Sequence, residues 1–71
     1  MAKSVRAHIA GTVWKVEVAI GDDVKEGQTV VILESMKMEM PVEAPTDGRV
    51  AAILVGPGEA VEEGTPLIDL E

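Results

Sequence analysis

The chain repeats itself. Sliding it by 37 positions lays Val5–Glu34 over Val42–Glu71 without a gap, and eleven of the thirty aligned pairs are identical. Three of the eleven are glycines: Gly11 on Gly48, Gly21 on Gly58 and Gly27 on Gly64. Bias towards valine supplies some matches by chance, but it does not readily supply the same glycine frame twice. Glycine marks positions where the backbone turns or approaches something closely. A half of about 30 residues cannot bury an apolar face alone, so the repeat demands two copies closing over one core.

Each copy reads as short strands. Thr12–Val18 and Gly48–Val55 are rich in branched residues, and Thr29–Glu34 matches Thr65–Leu70. Between them, Gly21-Asp22-Asp23 and Gly58-Glu59 read as turns, followed by second turns at Lys25-Glu26-Gly27 and Glu62-Glu63-Gly64. Glycines recur too often for a helix. The expectation is an all-β domain over residues 1–71, a flattened barrel or sandwich. It has two small antiparallel sheets and internal pseudo-two-fold symmetry, with half-repeats at 5–34 and 42–71.

Composition narrows the function. The chain has no Cys, which excludes disulfides and thiolate chemistry, and its single His8 cannot build a zinc site. His8 reads as incidental. Thirteen acids against six bases give a net charge of −7, the wrong sign for a nucleic-acid or anionic-membrane binder. Val, Ile and Leu number 20, enough for a folded core rather than disorder. No signal peptide is visible over Met1–Ala10, and the expectation is a cytoplasmic protein. The repeat closes its own strands, so a monomer is expected.

Seven residues, Ser35-Met36-Lys37-Met38-Glu39-Met40-Pro41, belong to neither copy and hold three of the four methionines. A methionine cluster is usually core filler. Alternation from Val30 to Val42 also permits one continuous strand, but it would be two to three times the usual length. A hairpin folding back near Met36-Lys37 respects the repeat. It breaks two local rules: such loops favour Asn-Gly or Asp-Gly, and Glu34 would face Glu39. Local rules broken at one place in a consistent sequence point to function.

Lys37 is the candidate. A catalytic lysine needs burial or a cationic neighbour, and no acid–base constellation surrounds this one. An exposed lysine at a hairpin tip suits acylation by another enzyme, which would make the domain an arm for a cofactor. Trp14 aligns with Ala51, so the repeat does not require a large ring there, and it reads as a partly exposed cap on the core.

Glu34-Ser35-Met36-Lys37-Met38-Glu39 resembles the attachment motif of biotinyl domains, the biotin carboxyl carriers and biotin/lipoyl attachment proteins. Gly11-Thr12-Val13, Gly21-Asp22-x-Val24-x-x-Gly27-Gln28 and Ala44-Pro45-Thr46-Asp47-Gly48 resemble the family's surrounding frame. The resemblance runs from about Val5 to Leu70. It implies two four-stranded sheets, with biotin covalently attached to Lys37 and Met36, Met38, Glu34, Ser35 and Glu39 forming the motif around it. It also implies a non-catalytic carrier: loaded by a biotin protein ligase, charged by a biotin carboxylase, and emptied by a carboxyltransferase. The parent enzyme would be an acyl-CoA carboxylase or a relative, such as acetyl-CoA carboxylase of fatty acid biosynthesis. The lysine stem and biotin chain together reach roughly 14 Å.

The chain departs from the family pattern at Ser35, where alanine is usual, and at His8-Ile9-Ala10, where many members have a Pro-Met-Pro-like stretch. It lacks an insertion resembling a thumb and a Pro/Ala-rich linker, so the likeness is to stand-alone carriers. The alternatives are a lipoyl carrier, disfavoured by the flanking methionines, an interaction module without cofactor, or an engineered minimal acceptor.

Overall fold

A computed structural model describes residues 3–71 as eight strands in two antiparallel sheets. The strands are β1 (Lys3–Arg6), β2 (Gly11–Val16), β3 (Asp23–Val24), β4 (Thr29–Ser35), β5 (Met38–Glu43), β6 (Gly48–Ile53), β7 (Ala60–Val61) and β8 (Pro66–Leu70). One sheet runs β1-β8-β6-β3 and the other β5-β4-β2-β7. Adding four to each first-half strand number and subtracting four from each second-half one turns either sheet into the other, so the repeat in sequence is a pseudo-two-fold in space.

The symmetry extends to register. Val13 pairs with Leu33 and Val50 with Leu70; Val5 pairs with Ile68 and Val42 with Val31. The irregularities repeat too. One bulge skips Trp14 in β2, between Val13 and Lys15, and its mate skips Ala51 in β6, between Val50 and Ala52. A bulge puts two successive residues on the same side of the strand. Trp14, 49% exposed, and Lys15 after it accordingly both face solvent, while Val13 before them is buried.

The halves are tied across the axis. The amide of Gly21 donates to the carbonyl of Val50, and that of Gly58 to Val13, at 2.8 and 2.7 Å. Both glycines sit at φ near +90°, which side chains rarely adopt. Asp22 accepts from the amide of Ala19, and Glu59 from that of Gly56, each through a carboxylate oxygen. These Asx-like contacts fix the loops that deliver β3 and β7.

Among the described residues, fourteen of the fifteen buried apolar ones form seven pairs under the shift of 37, among them Val24 with Val61 and Leu33 with Leu70. The exception, Val18, has its mate Val55 packed partly buried against the same cluster. No polar side chain is buried among the described residues.

Three details differ from the sequence expectation. β2 and β6 end at Val16 and Ile53, short of Val18 and Val55, because the chain turns there to bring in the glycine loops. Asp23, read as a turn residue, begins β3, and its carboxylate meets Arg49 of the paired strand at 3.3 Å. The segment between the half-repeats is mostly strand: Ser35 closes β4, Met38–Pro41 open β5, and only Met36 and Lys37 turn.

Candidate functional site

The β4–β5 pairing decides what stands at the tip. Val31 faces Val42, Leu33 faces Met40, Glu34 faces Glu39 and Ser35 faces Met38. Two residues remain for the turn. Met36 and Lys37 both take positive φ, 53° and 64°, and they are the only described non-glycine residues that do. Positive φ at both central positions makes a type I′ turn, whose twist matches the strands it joins. Asn-Gly adopts it freely, whereas ordinary side chains lose about 1 kcal/mol or more each.

The side chains sort by depth. Met40 packs partly buried against the core. Met36 is 91% exposed and Met38 62%, so two of the three hairpin methionines fill nothing. Lys37 is exposed. Glu34 and Glu39 are exposed too, and the chain retains this like-charge cross-strand pair beside the lysine. The ion pairs among the described residues are Lys15–Glu17, Lys25–Asp47 and Arg49–Asp23, so Lys37 belongs to none of them.

Gly11 supports the hairpin from β2. A Cβ placed there would stand 2.7 Å from the carbonyl oxygen of Glu34, closer than real Cβ atoms come. Its mate Gly48 meets the Glu71 carbonyl oxygen at 3.1 Å. The sequence carried this role only as a repeated glycine. The contact itself depends on which strand lies beside β4.

The tip therefore offers a primary amine, held away from the body by two strained residues and flanked by apolar side chains. No cluster of His, Cys, Asp or Glu able to hold a metal occurs among the described residues. His8 is exposed. The arrangement can accept a covalent group and present it.

Known proteins share this architecture. A family model described as "Biotin-requiring enzyme" matches residues 2–70. The chain belongs to that family. Biotin/lipoyl attachment domains are non-catalytic carriers that hold their cofactor covalently on a lysine, and this small all-β domain is one of them. The biotin/lipoyl attachment protein of Bacillus subtilis is 45% identical over 67 residues, covering 94% of this chain and 92% of that protein. The biotin carboxyl carrier protein of Streptococcus mutans is 44% identical over 69 residues, 97% of this chain but 53% of the carrier. In the crystal structure of Kluyveromyces lactis urea carboxylase, a stretch amounting to 6% of that chain superposes on all of this one with a TM-score of 0.94 at 37% identity. The homology to carriers of acyl-CoA and related carboxylases is thus established at the level of the domain.

The turn gives a direct test of constraint. Met36→Asn combined with Lys37→Gly should stabilise the domain by about 1–2 kcal/mol, since it installs residues suited to positive φ. For a domain of this size, that is a rise in Tm of about 5–10 °C. An unchanged or lower melting temperature would show that the wild-type turn carries no strain.

Proposed function

We propose that the domain is a biotin carboxyl carrier in which Lys37 bears biotin and serves a biotin carboxylase and a carboxyltransferase acting on an acyl-CoA or related acid. The observation that carries this is the type I′ turn itself. The chain keeps Met-Lys at positions that favour Asn-Gly and keeps Glu34 opposite Glu39, costs that a purely structural hairpin has no reason to bear. The residues fit the group: an unpaired amine, exposed methionines on both sides and no wall near the tip that would hinder acylation.

When bound, biotin supplies a site that takes up and gives up a carboxyl group in active sites belonging to other subunits. The domain's own residues do the rest. Lys37 forms an amide and loses its charge, taking the formal net charge from −7 to −8. The rigid β4–β5 pairing holds the stem clear of the body, and tethering raises the effective concentration at each site served. The acidic surface favours basic docking faces. The proposal includes a monomer in the cytoplasm, to be checked by sedimentation and cell fractionation. A lipoyl carrier is the second reading, because the B. subtilis relative is named for both groups.

Intact mass of protein from its own cells separates the readings. A biotinyl increment supports the proposal, a lipoyl increment replaces it with the second reading, and an unmodified chain in biotin-replete cells overturns both. Biotinylation should move amide chemical shifts only around Glu34–Glu39. Shifts spread across Val5–Val18 or Val50–Leu70 would replace the free arm with a docked one.

A further inference from the structure

The pseudo-two-fold supplies an internal control: each position has a mate in the same register on the other sheet. Where mates differ in chemistry, the fold does not dictate the difference. One such divergence is on the outer face of the sheet that bears Lys37. There a groove of about 350 Å³ is lined by Glu17, Thr29, Ile32, Glu39 and Pro41. Ile32 and Pro41 are a cross-strand pair of β4 and β5 and form an apolar floor. Their mates, Asp69 and Ser4, pair across β8 and β1, where the Ser4 hydroxyl donates to Asp69 Oδ1 at 2.8 Å. One sheet closes these positions with a polar pair, and the other opens them with apolar side chains.

The rim diverges in charge. Glu17 has Leu54 as its mate, and Glu43, paired with Thr29 at the groove's far end, has Arg6. Glu39's mate is Ala2, outside the described residues. Against these acids stands Lys15, which reaches Glu17 at 3.6 Å. β5 is the edge of its sheet, so among the described residues no further strand lies beside it. Glu39 is two residues from Lys37, separated from the turn only by Met38, the first residue of β5.

We propose that this groove is the docking face for the enzyme that acylates Lys37, receiving from it a segment with Lys or Arg side chains around an apolar one. The proposal rests on the carrier reading above and names a recognition surface for it. Reach decides between partners. An enzyme that works on the biotin ring meets it roughly 14 Å beyond the backbone and can leave the flank uncovered. The acylating enzyme must bring the Lys37 amine itself to its reactive carbon, so its rim closes over the residues next to the turn. An acidic rim with an apolar floor matches a cationic segment with an apolar centre.

The test exchanges mates, which the fold already accommodates on the opposite sheet. The substrates are wild type, Glu17→Leu, the double variant Ile32→Asp with Pro41→Ser, and the reciprocal control Ser4→Pro with Asp69→Ile. Each is biotinylated by the biotin protein ligase of the same organism with biotin and ATP, and its amide spectrum confirms folding. The double variant should raise KM for the domain about tenfold with little change in kcat, while the control stays within about twofold of wild type. Glu17→Leu should raise KM severalfold and flatten its increase with salt, since screening acts on the charged rim. If the double variant fails to fold, Glu17→Leu decides alone. Unchanged KM and salt dependence, with wild type labelled normally, overturn the docking face. Normal labelling with impaired turnover by the carboxylase reassigns the groove to that enzyme and equally overturns the proposal. A wild-type chain that the ligase does not label at all fails the carrier reading instead.

Discussion

Lys37→Arg should leave a folded domain that takes up no biotin. Arginine preserves the length and charge of the side chain, and the exposed tip makes no contact that the change disturbs. What it removes is the primary amine that an activated acyl group bonds to; the delocalised guanidinium is no substitute nucleophile. The other lysines offer no substitute setting. Lys15 and Lys25 reach carboxylates at 3.6 and 3.8 Å, and Lys3 lies in β1 at the terminal end, paired with Leu70. None stands in a two-residue turn between exposed apolar side chains. With ligase, biotin and ATP, the mass increment should vanish entirely in the variant, with an amide spectrum otherwise unchanged. Label retained at Lys3, Lys15 or Lys25 would sink the assignment.

Most of the architecture was legible because it is written twice. The glycine frame marked where each half turns, and the branched runs between the glycines marked the strands. The hairpin was legible from its violations, the missing Asn-Gly and the Glu34–Glu39 pair. Other features were not. β3 and β7 are two residues long, too short for any periodicity, and exist because a neighbouring strand offers free backbone groups. The exposure of Trp14 and Lys15 side by side follows from a bulge, and a bulge is a property of paired strands rather than of one. The Ile32–Pro41 groove escaped for a similar reason. Those residues lie nine apart in sequence and meet only in the hairpin register.

Leu33→Ala and Leu70→Ala test whether the repeat is energetic as well as geometric. The two leucines are mates, 0% and 1% exposed, facing Val13 and Val50 in matching registers. Each truncation should cost about 3 kcal/mol, from lost transfer free energy and the cavity left behind. A 71-residue domain has roughly 4–11 kcal/mol in total, so either change takes a large share and lowers Tm by about 15–20 °C. The two losses should agree within about 1 kcal/mol if the halves share one core. Their local consequences should differ. Leu33 faces Met40, one pair in from Glu34 and Glu39, whereas Leu70 faces Lys3 at the chain ends. Amide exchange at Ser35–Met38 should therefore accelerate in Leu33→Ala beyond the global loss of stability, and in Leu70→Ala only in step with it. Losses differing by more than 2 kcal/mol would mean that one half dominates the core. Equal exchange at the hairpin would mean that the tip is rigid only as part of the whole, so that presenting Lys37 draws on the entire domain rather than on the strand pair beneath it.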